Sequence, residues 1–274
     1  MIAFEMITAR YPGATRAALR GVTIAAAAGA LTAIVGPNGS GKSTLVRLLL
    51  RLLSPREGRV LVDGRSVEAY EPRELARRVA VVPQRESAVF SLPVHEYVAL
   101  GRYPHEGPWR SATARDATVV ERAMADAGIA ELAARDILAL SGGEWQRARI
   151  ARALAQEGSA VVLDEPTTFL DVGHEMATFE LFATLARTGR TVVVISHQLN
   201  LIARFADAMV LLHDGEVAAS GPPVAVMHAT TLERVYQWPL VVTRDPAVGA
   251  PALVPLRTRR HTSGIVQHAP ESQS

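Results

Sequence analysis

Residues 34–44 read Ile34-Val35-Gly36-Pro37-Asn38-Gly39-Ser40-Gly41-Lys42-Ser43-Thr44. An apolar run, Leu31 to Val35, leads into this stretch, and an apolar-periodic segment, Leu45 to Leu53, follows it. The order predicts a strand, a glycine-rich loop and a helix, with G-x-x-x-x-G-K-S at the junction. Glycines let the backbone turn tightly and point its N–H groups inward, and the helix adds the positive end of its dipole. The stretch therefore predicts a cradle for the phosphates of a nucleoside triphosphate.

The loop also contains the groups that such a cradle needs. We expect Lys42 to reach the β- and γ-phosphates of the nucleotide and the Ser43 hydroxyl to bind Mg²⁺. Lys42 is the only lysine of the chain, and arginine cannot replace a compact ammonium at a crowded phosphate site. A glycine-rich helix start without a ligand is the alternative, which the position between strand and helix disfavours. The residues predicted to hold the nucleotide here, which the family resemblance described below implies is ATP, are Gly36, Pro37, Asn38, Gly39, Ser40, Gly41, Lys42, Ser43 and Thr44.

Composition limits the remaining possibilities. A chain of 274 residues that is 49% hydrophobic can bury a core in one large domain or two modest ones. The net charge of +2 does not indicate a nucleic-acid-binding surface. The absence of cysteine excludes disulfides and thiolate metal sites. We expect no signal peptide, because the first residues lack a basic start followed by an apolar stretch, and the apolar windows are shorter than the ~18–20 residues of a membrane-spanning helix.

The rest of the chain predicts an α/β fold with a mainly parallel sheet covered on both faces. Two N-terminal strands, Ile2–Ala9 and Ala18–Ala26, are expected to form an antiparallel, hairpin-like unit. The elements predicted after the phosphate loop and its helix are strands Arg59–Val62, Val79–Val82, Ala160–Leu163, Thr191–Ile195, Ala208–Leu212 and Glu216–Ala219, and helices Leu75–Arg78, Ser141–Gln156, His174–Arg187 and Leu199–Phe205. Between these strands, about residues 87–140 show helical patterns alone, at Val94–Gly101, Ala112–Ala127 and Ile129–Ala134.

An acidic pair follows one of the buried strands. Ala160–Leu163 is apolar throughout, and Asp164 and Glu165 come directly after it, where α/β sheets place their ligands. We expect Asp164 to hold Mg²⁺, directly or through water, and Glu165 to polarise the water that attacks the γ-phosphate. Two solvated acids at a strand end are the alternative, and the phosphate loop favours the functional interpretation.

The third motif identifies a family. Leu140-Ser141-Gly142-Gly143-Glu144, followed by Gln146-Arg147, resembles the signature of ATP-binding cassette (ABC) ATPases. A Ser hydroxyl and glycine amides at a helix start make a second anion cradle, and Glu144 three residues after Ser141 also makes a capping box. Both interpretations can hold together. The resemblance covers about residues 1–240, since the order of phosphate loop, Gln84, signature, acidic strand and His197 is that of this family, and it implies the P-loop ABC ATPase fold.

The resemblance implies roles for further residues. Tyr11 matches the aromatic residue that stacks on adenine, Gln84 matches the glutamine that contacts Mg²⁺ and water, and His197 matches the histidine that contacts the γ-phosphate. Leu170-Asp171 matches the loop that crosses the dimer interface, although Thr168-Phe169 replaces the commoner Ser-Ala. The implied catalytic residues are Glu165, His197 and Gln84, and the implied Mg²⁺ ligands are Ser43, Gln84 and Asp164.

The same resemblance implies that the working unit is a dimer. Two copies of the chain are expected to pack head to tail with two ATP molecules between them and to relax after hydrolysis. Each ATP, bound by the phosphate loop of one copy, is then expected to meet the following residues of the other copy: Ser141, Gly142, Gly143, Glu144 and Asp171. The resemblance also implies two copies of a transmembrane permease, an indirect extracytoplasmic binding protein, no nucleic acid, and a peripheral location on the cytoplasmic face of the membrane.

Three stretches resemble one group within the family. Leu100–His105 contains the Gly-Arg-x-Pro-His run of importer ATPases for iron-siderophores, haem and cobalamin. Glu165–Asp171 with His174 resembles that group, as do Val235-Tyr236 and the later segments Asp245-Pro246 and Pro251–Pro255. They imply an ATPase subunit that powers import of an iron chelate or cobalamin. An exporter ATPase subunit and a soluble ABC ATPase acting on DNA or ribosomes are the alternatives; the short insert, single cassette and balanced charge disfavour the second.

We therefore expect an ABC ATPase domain at residues 1–240, with a helical subdomain at about 87–156 inserted in it, a C-terminal extension at 241–257 and a disordered tail at 258–274. The apolar residues after Gln84 form either a cleft for a helix of the membrane subunit or the packing of the insert on the sheet: Val89, Phe90, Leu92, Val94 and Tyr97. The sequence of this chain does not reveal the identity of the cargo, of the permease or of its binding protein.

Overall fold

The structure, a computed structural model, describes residues 1–105 and 113–257. The tail 258–274 and the first residue of the predicted helix Ala112–Ala127 lie outside these ranges. Strands in the described residues are β1 Ile2–Ala9, β2 Leu19–Ala26, β3 Leu31–Val35, β4 Glu57–Val62, β5 Arg65–Ser66, β6 Val79–Val82, β7 Ala160–Asp164, β8 Thr191–Ile195, β9 Ala208–His213, β10 Glu216–Gly221, β11 Leu240–Arg244 and β12 Pro251–Pro255. The α-helices are α1 Lys42–Leu49, α2 Pro72–Ala76, α3 Val94–Ala99, α4 Ala114–Asp126, α5 Gly142–Ala155, α6 Val172–Arg187, α7 Leu199–Phe205, α8 Pro223–Val226 and α9 Ala229–Tyr236.

The N-terminal strands form an antiparallel sheet in the order β2-β1-β4-β5. In β2 the side chains of Val22, Ile24 and Ala26 are buried while those between them are exposed. This period of two gives the sheet one apolar face, which packs toward α1 and the central sheet. The predicted antiparallel unit at the N-terminus is thus confirmed.

The central sheet has the order β10-β9-β3-β8-β7-β6 and is parallel except where β9 and β10 pair. Every residue of β3, β7 and β8 is buried. Strands covered on both faces read as continuous apolar runs, and two core clusters lie on the two faces of this sheet. The predicted α/β fold with a mainly parallel sheet is confirmed. The carboxyl ends of β3, β6, β7 and β8 meet at one edge, which is where the candidate site forms.

Some predicted boundaries change. The helix after the phosphate loop begins at Lys42, earlier than the apolar pattern predicts, because the motif residues themselves form its first turn. It also ends earlier than predicted, at Leu49, because Arg51 takes a left-handed conformation (φ 58°) two residues later. The helix predicted at Ile129–Ala134 is wrong: this segment has a single 3-10 turn, Ala130–Leu132, after a turn at Gly128.

The run Leu100–His105 connects α4 to the end of α5. Arg102 is buried at 3% exposure and donates to three acceptors: Asp116 at 2.9 Å, the Ala155 carbonyl at 2.6 Å and Glu157 at 2.8 Å. A Cβ at Gly101 would lie 2.3 Å from the Arg152 carbonyl, so only glycine fits there. The Gly-Arg-x-Pro-His run thus works as packing within the fold.

The C-terminal part contains elements that the sequence did not predict: the helices α8 and α9 and the hairpin β11–β12. The Asn200 side chain on α7 bonds both main-chain groups of Leu253 at 2.7 and 3.0 Å, and Arg204 pairs with Asp245. These contacts hold the hairpin against the helix that follows His197. No helix in the described residues is both long and apolar enough to cross a bilayer.

Candidate active site

The phosphate loop lies between β3 and α1, as predicted. A Cβ at Gly36 would lie 2.1 Å from the Leu212 carbonyl, and the φ of Gly36 is +146°. Only glycine fits where the loop leaves the sheet so close to the neighbouring strand β9. The loop then delivers Lys42 as the first residue of α1.

Lys42 is 8% exposed, and its ammonium donates to the carbonyls of Gly36 at 2.8 Å and Pro37 at 2.9 Å. Burial lowers the pKa of Lys42, and the nearby carboxylates of Glu165 and Asp164 oppose this shift. A cation held among backbone groups and beside carboxylates attracts an anionic ligand that approaches from the open side of the loop.

Ser43 and Asp164 meet from different elements. The Ser43 hydroxyl, at the start of α1, donates to Asp164 Oδ2 at 3.2 Å at the end of β7. Asp164 is 5% exposed, and burial raises its pKa against the opposing effects of the Ser43 hydrogen bond and Lys42. A hydroxyl and a buried carboxylate are oxygen ligands of the kind Mg²⁺ prefers, and a divalent cation would offset the cost of burying the carboxylate charge. The donor set therefore fits Mg²⁺.

Glu165 and His197 form a second contact at the same edge. Glu165 follows β7 with φ +54°, and its N–H donates to the Ile195 carbonyl of β8 at 2.8 Å. The Glu165 side chain is 11% exposed, and each of its carboxylate oxygens lies 2.9 Å from Nδ1 of His197, which is 65% exposed. Since β7 and β8 are neighbours, the sheet brings together two residues that are 32 positions apart in sequence.

Lys42, Ser43, Asp164 and Glu165 line one cleft of about 340 Å³, and His197 is not among its lining residues. Tyr11 stands at its side, with its hydroxyl 3.2 Å from the Thr44 hydroxyl and the Arg47 guanidinium 5.4 Å from its ring centroid. Sequence reasoning missed one lining residue, Ala18, which carries no chemical signal. The complete lining is Tyr11, Ala18, Asn38, Gly39, Gly41, Lys42, Ser43, Thr44, Gln84, Asp164 and Glu165.

The signature segment begins α5 with the predicted capping box. The Ser141 hydroxyl accepts from the Glu144 N–H at 3.3 Å, and the Glu144 carboxylate accepts from the Ser141 N–H at 2.7 Å. Arg135 also donates to Glu144 at 3.1 Å. The Ser141 backbone hydrogen bond, followed by the Ser141 hydroxyl and the charge of Arg135, holds the pKa of Glu144 below its usual range. The cap leaves Ser141 and Gly142 exposed at the helix N-terminus.

A loop after the acidic pair lies beside this helix start. Phe169 has φ +73° and is 80% exposed, and a Cβ at Gly142 would lie 3.3 Å from the Phe169 Cβ. Asp171 follows and caps α6 by accepting from the His174 N–H at 2.9 Å. Ser141, Gly142, Gly143, Glu144 and Asp171 are therefore gathered in one region, but they do not line the cleft that contains Lys42.

One link between these regions was missed from the sequence. Gln146, inside the signature run, is 3% exposed and donates to the Pro166 carbonyl at 2.8 Å, one residue after Glu165. Gln146 stands in a recognisable motif, but the motif does not predict its hydrogen bond to Pro166, which lies 20 positions away.

Residues 19–168 match the ABC transporter family. The chain is 40% identical over 253 residues to the ferric enterobactin transport ATP-binding protein of Escherichia coli K12, which covers 92% of this chain and 93% of that protein. It is 44% identical over 247 residues to the hemin import ATP-binding protein of Nocardia farcinica, covering 89% and 84%. It is also 44% identical over 232 residues to the cobalamin import ATP-binding protein of Halobacterium salinarum; this match spans 84% of the chain and 58% of that longer relative.

Solved structures agree with the fold. One chain of an inward-facing metal-chelate type ABC transporter superposes with a TM-score of 0.81 at 27% identity, over 93% of this chain and 97% of that one. A dimeric bacterial ABC transporter cassette superposes with a TM-score of 0.73 at 29% identity, over 81% of this chain and 99% of the cassette.

Proposed function

This chain belongs to the ABC transporter family, and we propose that it powers the import of an iron chelate (siderophore or haem) or of cobalamin through a membrane permease. ATP-binding proteins of this family hydrolyse ATP to drive transport. The single observation that carries the ATPase chemistry is the cleft in which Lys42, Ser43, Asp164 and Glu165 meet. The importer assignment rests on relatives that are import ATP-binding proteins over most of both chains.

In this proposal the cleft binds ATP and activates water. Lys42 and the loop amides bind the β- and γ-phosphates, and Tyr11 stacks on the base. Ser43, Gln84 and Asp164 would hold Mg²⁺, which neutralises phosphate charge when bound. Loop residues that lie outside the cleft lining, such as Gly36, Pro37 and Ser40, set the shape of the loop.

Glu165 acts as the base of the reaction. Its carboxylate orients the attacking water and takes its proton, as phosphoryl transfer to water requires. His197 Nδ1, at 2.9 Å, holds the carboxylate in place, and the exposed imidazole is free to contact the γ-phosphate through its other nitrogen. Gln84 positions the water and Mg²⁺ from the opposite side of the cleft.

The signature region acts on ATP bound to a second copy of the chain. In each chain, Ser141, Gly142 and Gly143 form a capped helix start, and none of these residues lines the cleft of the same chain. A head-to-tail dimer would bring the Ser141 segment and Asp171 of one copy to the phosphates held by Lys42 of the other. A dimeric cassette among the structural neighbours supports this arrangement.

We propose that the permease docks beside the Gln84 loop. An open groove of about 570 Å³ lies there between α1, α2 and α5, with mainly apolar walls and two arginines. It would take a short helix from the cytoplasmic side of the permease. Of the five apolar residues considered from the sequence, Val94 and Tyr97 are core residues at 0% and 4% exposure, and Leu92 packs against the core, so these three do not form the groove. Val89 and Phe90 remain exposed on the loop itself.

Reconstitution tests the function. The chain is co-expressed with a candidate importer permease and inserted in vesicles together with a candidate binding protein, and ATP-dependent uptake of ferric siderophore, haem and cobalamin is measured. We expect uptake of one of the three, lost in the Glu165→Gln variant. ATP-dependent efflux would favour the exporter alternative, and DNA-stimulated ATPase activity without any membrane partner would favour a soluble ATPase. Normal uptake of all three compounds by a strain that lacks this gene would contradict the proposal.

A further inference from the structure

The loop that carries Gln84 is attached to α5 by polar contacts on both sides of Gln84. On one side, Arg149 Nη2 donates to the Pro83 carbonyl. On the other, Trp145 Nε1 donates to the Glu86 carbonyl at 3.1 Å. Gln84 itself is exposed between these two points. The position of Gln84 therefore depends on α5, the helix that begins at Ser141.

The Glu86 side chain makes most of the polar contacts that attach this loop to α5. Its side chain is 22% exposed, and its carboxylate accepts from Tyr97 at 2.9 Å, from both terminal nitrogens of Arg152 and from Arg149 Nε at 3.4 Å. Burial by itself would raise the pKa of Glu86, but the Arg152 hydrogen bonds and charge, with Tyr97 and Arg149, hold it below its usual value. Glu86 is thus a carboxylate that carries its charge between two arginines.

The contacts continue from Glu86 to the acidic pair. Arg149, which is 4% exposed, donates through Nη1 to Gln146 Oε1 at 2.6 Å. Gln146 in turn donates to the Pro166 carbonyl, next to Glu165. A buried chain of charge-assisted and neutral hydrogen bonds therefore connects the Gln84 loop, the signature helix and the Glu165 loop.

We propose that Glu86 is a positioning residue, whose carboxylate fixes the Gln84 loop to the signature helix so that the two segments move together, each toward the nucleotide that it contacts in the dimer. The inference rests on the proposed role of Gln84 in hydrolysis, and it adds a residue that touches neither ATP nor Mg²⁺. With this attachment, the Gln84 loop and the signature segment of one chain move as one unit, because a displacement of α5 carries Pro83 and Glu86 with it.

Two readouts on the full-length chain test the proposal. The first is steady-state ATP hydrolysis by Glu86→Gln, which keeps the shape and removes the charge. We expect kcat to fall roughly tenfold while KM for ATP stays within about twofold, since small misplacements of catalytic groups cost rate more than binding. Glu86→Asp, which keeps the charge, should retain more activity than Glu86→Gln. Glu96→Gln, an exposed carboxylate on α3, is the matched control and should behave as wild type.

The second readout needs no turnover. The natural chain has no cysteine, so Arg85→Cys gives a single attachment point for a nitroxide beside Gln84, and its mobility is read by electron paramagnetic resonance. The Glu86→Gln change should make the label more mobile, and Glu96→Gln should not. If Glu86→Gln does not fold, Tyr97→Phe removes one hydroxyl donor to Glu86 and should give smaller changes of the same sign.

The outcomes separate this inference from the proposed function. Wild-type kcat in the Glu86 variant overturns the inference, as do unchanged label mobility or an equal loss in Glu96→Gln. A wild-type chain that binds ATP without hydrolysing it would instead contradict the proposed function, and the label mobility would then decide whether Glu86 anchors the loop.

Discussion

The phosphate-loop cleft and the signature region differ in how much of their geometry one chain completes. In the cleft, Lys42 and Asp164 are almost fully buried, and groups from three parallel strand ends converge. In the signature region, Ser141 and Gly142 are exposed and Phe169 is 80% exposed. The strand ends of the sheet hold the cleft residues in place, whereas the signature region is a capped helix start with a loop beside it. From this difference we propose that a single chain binds nucleotide and that hydrolysis needs a second copy, and each change below tests one side of this proposal.

The largest effect is expected at the base in the cleft. Glu165→Gln keeps the side-chain shape but cannot accept a proton, so kcat should fall by about 10³-fold. ATP binding should persist, and ATP should drive the variant into a stable dimer, measured by light scattering. Glu180→Gln on the exposed face of α6 is the control. Hydrolysis near the wild-type rate would remove Glu165 from the role of base.

The next largest effect is expected at Lys42, where the change should weaken ATP binding itself. Lys42→Ala removes the buried cation that compensates phosphate charge, a contact of about 1.5–3 kcal/mol, or roughly 10–100-fold in ATP affinity. Titration of the isolated chain with a fluorescent ATP analogue measures it, and Arg56→Ala at an exposed position is the control. Unchanged affinity would show that the loop amides suffice.

A smaller effect, confined to the dimer, is expected at Ser141. Aspartate and asparagine both cap helices well, so Ser141→Asp and Ser141→Asn keep the start of α5. Ser141→Asp alone places a negative charge where the second copy's γ-phosphate is proposed to bind, and kcat should fall at least about tenfold relative to Ser141→Asn. The ATP affinity of the monomer should be equal in both variants. If monomer affinity falls instead, the signature segment acts on the nucleotide of its own chain.

The smallest effect is on stability. Glu144→Gln removes the charged member of the capping box and should lower the free energy of unfolding by about 0.5–1 kcal/mol at pH 7. Because the pKa of Glu144 is lowered in the folded chain, its contribution is present above the ordinary glutamate pKa of about 4.3 and is lost as the pH falls through the lower folded value. Urea unfolding at pH 7 and pH 3 measures it. A difference between variant and wild type that stays constant with pH would contradict the assigned hydrogen bonds.

Most of the cleft could be predicted from the sequence because its residues sit in local patterns. The strand, loop and helix around Gly36–Thr44 are contiguous in sequence. The apolar run before Asp164 stops at this residue, so the pattern itself marks the end of the strand. The two members of the capping box, Ser141 and Glu144, are three positions apart. Local spacing is enough to predict contacts of this kind.

Contacts across the chain could not be predicted in this way. Glu86 and Arg152 are 66 positions apart and nothing in their spacing pairs them. The hairpin β11–β12 was missed because it contains proline and lies half exposed, and it is held by Asn200 from 53 positions away. For Tyr97 and Val94 the sequence left both a partner cleft and core packing open, because burial is set by the helices that pack around them.

Lys42 has a consequence for experiments, because it is the sole lysine. A chain grown with nitrogen-15 lysine would give a single ammonium resonance, and that resonance would arise from the centre of the phosphate loop. Its chemical shift would report nucleotide binding and release at the phosphate loop without any substitution in the chain. Lys42 would likewise be the one side chain that amine-directed reagents modify. The other amine of the chain is its N-terminus, which is paired with Asp63. Protection of Lys42 by ATP would therefore report occupancy of the cleft.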